Sequence, residues 1–212
     1  MKLGIYGGGG LGREVLVLAQ QINRDARWTE IFFIDDVSDE AAISGVAVRR
    51  FHEVDFADSE IVIALGEPVA RQKLMEKVLP KTRLATLVHP QVFIPPRSEI
   101  GAGSIICSGA FISCDVRISA NVLIQPQACV GHDSAVGSHS VVSSNVTLAG
   151  HCAIGQRVFI GMNSAVKEQT AIGDDAIIGM GSSVFADIAP ASIALGNPAR
   201  VMRKNEQGKV FN

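Results

Sequence analysis

The chain has 212 residues, a formal net charge of −2, 47% hydrophobic and only 5% aromatic residues. A chain of that length buries a core without disulfides or metals. Its near-balanced charge, with no basic cluster, gives no case for nucleic acid, and no apolar run of about 18 residues suggests membrane insertion.

The N-terminus MKLGIYGGGG lacks the long apolar core of a signal peptide, and Cys107, Cys114, Cys129 and Cys152 form no CxxC pair. A cytoplasmic chain with reduced thiols is therefore expected. Glycine is abundant, at 21 residues. A Gly-rich, aliphatic chain that is not low-complexity points to a repeat architecture.

In chain order, residues 2–6 (KLGIY) read as a short buried strand. Leu11, Val15, Leu18, Ala19 and Ile22 then fall on one face of a helix. Residues 31–34 (IFFI), ending at Asp35-Asp36, and residues 60–65 (EIVIAL) read as two further strands. Residues 68–79 form a second helix with Pro68 near its first turn, and residues 83–88 a last strand. Strand and helix alternating in this way predict a small parallel α/β unit over residues 1–88.

From residue 89 the grammar changes. Every sixth residue from Ile94 to Val184, sixteen positions in succession, is Ile, Val or Leu. A small or β-branched residue follows four places later in nearly every case, and glycine often follows directly, as at Gly101, Gly131 and Gly155. This predicts a parallel β-helix over residues 89–190. Each hexad is one strand and a corner, three hexads close a coil, and the aliphatics stack inside at about 4.8 Å per coil. The glycines are expected to be where the backbone turns. Pro190 ends the ladder, since it cannot donate to it, and residues 191–212 close the open end.

Residues 18 apart stack on adjacent coils. His132 is therefore expected between Cys114 and Gly150, and Asp133 beneath His151. An exposed imidazole beside an acid, facing a residue with no side chain and so with room beside it, suggests a general base. His139 is expected as a polar surface residue and His89 as a structural joint. His132, His139 and His151 also raise a minor alternative, a zinc site shared between subunits as in the β-helical carbonic anhydrases. The loop Gly7-Gly8-Gly9-Gly10-Leu11-Gly12 satisfies GxGxxG between strand and helix, with Asp35 and Asp36 beyond it. Backbone amides at a helix N-terminus suit a pyrophosphate, and an acid suits a ribose hydroxyl. Read alone, this loop suggests an NAD-dependent oxidoreductase, but about 88 residues are too few for a six-strand dinucleotide fold.

The uninterrupted hexad array, with IYGGGGLGREV, FFIDD, LVHP, HDSAVG and GNPAR, resembles the bacterial sugar acetyltransferases of the sialic acid O-acetyltransferase type. That group includes the amino-sugar N-acetyltransferases of bacillosamine-like pathways. The resemblance implies a Rossmann-like domain followed by a left-handed β-helix, assembled as a homotrimer with sites at subunit interfaces. It implies acetyl-CoA as cosubstrate, no metal, and direct transfer to a nucleotide-linked amino sugar. O-acetylation and a catalytically inactive binding protein are the alternatives.

Under the resemblance His132 is the base, Asp133 its partner and Gly150 the oxyanion-holding backbone. Gly7, Gly9, Gly10, Leu11, Gly12, Asp35 and Asp36 hold the sugar nucleotide. Gly150, His151, Ala165, Asn197, Pro198 and Arg200 meet the coenzyme. Two departures stand out: Leu11 and Val141 occupy places where relatives carry histidine.

Overall fold

A computed structural model describes residues 1–206 and 208–211. In the N-terminal unit, β1 (Lys2–Tyr6) lies between β2 (Glu30–Ile34) and β5 (Ser59–Ile63), parallel to both. Two short strands, β3 (Ala42–Ile43) and β4 (Val46–Arg49), extend the sheet to the order β3-β4-β2-β1-β5. They form an antiparallel hairpin. Ser44 and Gly45 both take positive φ at its tip, a turn suited to the twist of a hairpin.

Helix α1 (Gly10–Ile22) buries Val15, Leu16, Leu18 and Ala19. Helix α2 (Pro68–Val78) has Pro68 in its first turn, where a missing N–H costs nothing.

The expected strand over residues 83–88 divides. Leu84 only bridges Ile61 on the α/β sheet, while β6 (Leu87–Val88) pairs with Ile105–Ile106 of the repeat region. The connection therefore leaves one sheet and starts the next within four residues.

The hexads form a parallel β-helix in which paired residues differ by 18, as in Ile118 with Val136 and Val130 with Leu148. The sixth-position aliphatics from Ile106 to Val184 are buried in one core. Ile94 and Ile100 pack more loosely at its open base. Buried serines four places later stitch the coils. Ser104 Oγ donates to Ser119 O and accepts from Val122 N–H, and Ser140 Oγ does the same with Gly155 O and Val158 N–H. A hydroxyl in the prism is thus fully partnered, which removes the cost of burying it.

The turning residue is not the glycine that directly follows the aliphatic, although Gly103, Gly109 and Gly181 do hold turning positions. Left-handed φ falls three places after the aliphatic, at Asn121, Asp133, His139, Asn145 and His151 among others. Asn, Asp and His adopt that conformation more readily than most side chains. The glycines are needed for closeness instead: a Cβ on Gly131 would stand 2.5 Å from the carbonyl carbon of Ala149 in the next coil.

One face of the prism is covered. Ile105, Leu123 and Val141 share a core with Val15, Leu18 and Ala19 of α1. Arg71 of α2, fully buried, locks the two units together. Its guanidinium donates to the carbonyls of Ile63 and Leu65, and to the backbone and side-chain oxygens of Asn121. Burial without a carboxylate partner lowers its pKa to about 9. Asn121 in turn holds His139 Nδ1 at 3.1 Å. His139 is therefore a buried part of this joint, not a surface residue.

At the far end, Ser192–Leu195 joins the covered sheet and Arg200–Lys204 returns antiparallel beside it. The chain then runs back to the N-terminal unit, where Val210 and Phe211 N–H groups donate to the Glu67 carboxylate.

Candidate active site

His132 lies at the corner between the two faces that α1 leaves uncovered. One face presents Arg117, Ala135 and Ala153 outward, the other Phe111, Thr147 and Ala165, all exposed. Asp133 turns the corner with φ 58°, and His151 repeats that turn one coil above with φ 59°. The His151 N–H donates to His132 O at 2.8 Å. Coil stacking thus sets the three side chains side by side.

His132 Nδ1 is 2.8 Å from Asp133 Oδ2. The carboxylate only accepts, so this contact places the ring's proton on Nδ1 and leaves Nε2 as a free lone pair. The short aspartate side chain reaches the ring without difficulty. The hydrogen bond from His132 holds the Asp133 carboxyl below its ordinary range, and the charges of His151 and Arg97 act in the same direction. His151 Nε2 is 3.7 Å from the same carboxylate oxygen. Its ring meets that of His132 edge to face, centroids 5.1 Å apart.

The space above His132 is real but already used. A Cβ on Gly150 would stand 2.6 Å from both Cε1 and Nε2 of the imidazole. The ring itself occupies the room that glycine provides, so Gly150 keeps Nε2 against the backbone of the next coil. The Gly150 N–H donates to none of the described residues. A histidine lone pair and an unused backbone donor therefore adjoin.

His139 is at another corner and Cys152 points inward, buried, its thiol on Lys167 O. The three-histidine zinc set is therefore not brought together.

On the uncovered face above this corner, Cys129, Thr147, Ala165 and Ser183 form one outward row at successive coils. Ala199 N–H bonds Ser183 O, which brings Asn197, Pro198 and Arg200 to the top of that row. The Asn197–Pro198 bond is cis, and Arg200 is exposed.

In the N-terminal unit the glycine loop is tightly made. Gly7 takes φ +114°, and a Cβ on Gly12 would fall on the Gly7 carbonyl. Gly9 and Gly10 face open space, with Gly10 starting α1. A cavity of about 350 Å³ here is lined by Gly8, Gly9, Arg13, Ser38, Glu40 and Ile43.

The two aspartates are more occupied than expected. Asp35 accepts from the N–H groups of Gly8, Val37 and Ser38. Asp36 accepts from Tyr6 Oη at 2.5 Å, Lys77 Nζ at 2.8 Å and Phe51 N–H at 2.9 Å. These donors bring the Asp36 pKa down to about 2 against the opposing effect of burial, while burial first, and then Asp36, push Tyr6 up to about 12. Both acids shape the loops, and both also line a second cavity of about 250 Å³ with Tyr6, Val37, Leu65, Leu74 and Lys77.

Arg13, Tyr6, Lys77 and the β3–β4 hairpin that supplies Ile43 were not legible as site residues. Leu11 and Val141, the two departures, fall in the same apolar cluster between α1 and the covered face. Neither loop cavity is lined by a residue of the His132 corner.

Residues 2–78 match the model of the PglD N-terminal domain, and residues 151–186 match that of the bacterial transferase hexapeptide (six repeats). The acetyltransferase domain of PglB from Neisseria gonorrhoeae FA1090 is 26% identical, with a TM-score of 0.90 over 95% of this chain and 99% of that one. A second structure of that domain holds acetyl coenzyme A. PerB from Caulobacter crescentus, in complex with CoA and GDP-perosamine, is also 26% identical, with a TM-score of 0.86 over 96% and 98% of the two chains. WeeI from Acinetobacter baumannii AYE, 23% identical over 95% and 100%, shares the fold with a TM-score of 0.61. A comparison with curated protein sequences gives no match.

A hexapeptide coil with an imidazole at an open corner, joined to a nucleotide-type glycine loop, defines an acyltransferase of the left-handed β-helix class. More narrowly, the chain is similar over nearly its whole length to sugar acetyltransferases in which a PglD-type domain precedes that helix. Among the described residues no helix is long and apolar enough to cross a membrane.

Proposed function

We propose that this protein transfers the acetyl group of acetyl-CoA to the amine of a nucleotide-linked amino sugar, with His132 as general base. The observation that carries the chemistry is the His132–Asp133 contact of 2.8 Å, with the ring set over Gly150. PerB, similar over nearly the whole chain, is described in complex with CoA and GDP-perosamine, which supports an amine acceptor over a hydroxyl.

The residues act in sequence. The glycine loop takes the pyrophosphate at the N-terminus of α1, where amides and helix dipole favour negative charge. Gly9 and Gly10 allow its close approach, and Arg13 adds charge. The cavity of Asp36, Lys77 and Leu65 takes the nucleoside.

The acceptor amine attacks the thioester carbon. His132 Nε2 receives its proton while Asp133 keeps Nδ1–H oriented and stabilises the imidazolium. The oxyanion meets the Gly150 N–H. Collapse breaks the carbon–sulfur bond, and the departing thiolate takes the proton back from His132. No acyl-enzyme is needed. Thr147 and Ala165 offer a small, smooth path for the pantetheine, leading to Asn197, Pro198 and Arg200. His151 borders the start of that path.

In this reading residues 1–88 hold the nucleotide, 89–190 carry the chemistry and 191–212 cover the coenzyme. Two open faces meeting at the reactive corner suit a homotrimer, the usual assembly of hexapeptide-repeat acetyltransferases. Acetyl-CoA then lies between neighbouring helices, and a glycine loop that does not adjoin His132 in one subunit is completed across the interface. A cytoplasmic setting fits four free thiols.

The test is CoA release from acetyl-CoA against a panel of nucleotide-linked amino sugars, for wild type and His132→Ala. Turnover with one acceptor, reduced about 10² to 10⁴-fold in the variant, is the expected result. Undiminished turnover in His132→Ala removes the base, and turnover confined to hydroxyl acceptors removes the amine.

A further inference from the structure

We propose that His132, Asp133 and His151 also form a binding site for a borderline divalent cation such as Zn²⁺, and that its occupancy shuts off the base. The donor atoms of the three side chains, one from each, lie within 4.8 Å of one another. Two imidazole nitrogens and one carboxylate oxygen are a donor set that zinc accepts, with water completing the tetrahedron.

The distances suit the ion. Bonds of about 2.0–2.1 Å place tetrahedral ligands about 3.4 Å apart. His151 Nε2 is already 3.7 Å from Asp133 Oδ2, and His132 Nδ1 is 2.8 Å from it. Small side-chain rotations therefore close the set. The side chains of His132, Asp133 and His151 are 53%, 45% and 52% exposed, so the ion sheds little more water than its ligands replace. The backbone is fixed beforehand: Asp133 and His151 share one corner conformation on adjacent coils, joined through His151 N–H on His132 O. Arg97, the cation felt by Asp133, is itself paired with Asp115 at 2.7 Å.

The consequence for the reaction follows from one proton. A neutral imidazole carries a single N–H. Metal on Nδ1 displaces that proton from the Asp133 contact to Nε2, with no net loss to solvent. Nε2 then donates and no longer accepts the proton of the acceptor amine. Coordination through Nε2 itself blocks the lone pair directly. The ion is an inhibitor on either atom, not a cofactor.

The inhibitory half of this proposal rests on the acetyl-transfer reading, and the binding half does not. The experiment uses tag-free, full-length protein stripped with EDTA. Co²⁺ is titrated by visible absorption and Zn²⁺ by calorimetry, with acetylated product followed chromatographically because thiol reagents compete for zinc. Wild type is expected to bind one ion per chain with tetrahedral-type Co²⁺ absorption. One equivalent of Zn²⁺ lowers turnover at least tenfold, reversed by EDTA. His151→Ala and Asp133→Asn are expected to weaken Zn²⁺ binding at least 100-fold, with inhibition referred to each variant's own metal-free rate. Cys114→Ser is expected to bind as wild type. Equal Zn²⁺ affinity in wild type and His151→Ala, or loss of the site in Cys114→Ser, overturns the proposal. Binding without inhibition leaves the site standing and overturns only its link to the base.

Discussion

Replacing Gly150 by alanine tests the geometry of the reactive corner more sharply than removing the histidine. The new Cβ would stand 2.6 Å from Cε1 and Nε2 of His132, where ordinary contact begins at 3.4 Å, so the ring retreats by about 0.8 Å. Misplacement of a reacting group by about 1 Å costs about 10²-fold in rate, or about 2.7 kcal/mol in the barrier. The fold is spared, because the displaced group is the end of a half-exposed side chain and Gly150 does not need positive φ. Its unfolding free energy is expected to stay within about 0.5 kcal/mol of wild type.

Gly131→Ala is the control. It places its Cβ 2.5 Å from the backbone carbon of Ala149, which cannot retreat, and is expected to lose about 1–3 kcal/mol of stability. Steady-state kcat/KM and thermal unfolding of both variants read the difference. A fully active Gly150→Ala protein refutes the placement of Nε2 by this glycine. An unfolded one refutes the claim that the glycine serves the site and not the coil.

Arg71→Lys is expected to destabilise by about 3 kcal/mol or more in urea unfolding, since three ammonium donors do not replace the guanidinium fork on Asn121, Ile63 and Leu65. For Asp36 the folded pKa, about 2, lies below the ordinary carboxylate value of 3.8. Its stabilisation is therefore present above about pH 4 and lost as pH falls toward 2. With the side chain 36% exposed, Asp36→Asn is expected to cost about 1 kcal/mol near pH 7, and the gap between the urea midpoints of the two proteins closes by about pH 2. Gly9→Ala meets nothing within 4 Å. It is expected to raise KM for the nucleotide sugar about tenfold with an unchanged melting temperature, whereas Gly12→Ala, colliding with the Gly7 carbonyl, unfolds the loop.

The repeat region was legible because its period leaves no choice: an aliphatic every sixth residue has one way to face inward. The same arithmetic put His132 beneath Gly150 and Asp133 beneath His151, since coil stacking converts sequence separation into distance. Conformation was less legible than spacing. Glycine directly after many aliphatics suggested a turn, but the left-handed positions fall two residues later, on Asn, Asp, His and a few glycines such as Gly103, and Gly131 answers a steric demand from the next coil. The Arg71–Asn121–His139 joint spans 50 residues in its first step, and no local pattern announces it. Asp35 and Asp36 were visible as acids near a nucleotide loop. That Gly8, Phe51 and Lys77 would claim their oxygens depends on how distant segments fold back.

The docking of the N-terminal unit on particular coils also makes the protein a ruler. Leu87–Val88 pairs with the coil of Ile105 and Arg71 grips the coil of Asn121, while His132 stands on a coil fixed relative to both. The span along the helix from the glycine loop to His132 is therefore quantised in coil heights of about 4.8 Å. Gaining 18 residues between Asn121 and His132 would change the reach by one such step and keep the inward aliphatics in register, at the cost of parting Asn121 from His139 and Val141 from α1. Adding them above Ala171 changes nothing at the reactive corner. An insertion of one residue between His132 and Gly150, by contrast, separates the ring from the glycine beneath which it lies.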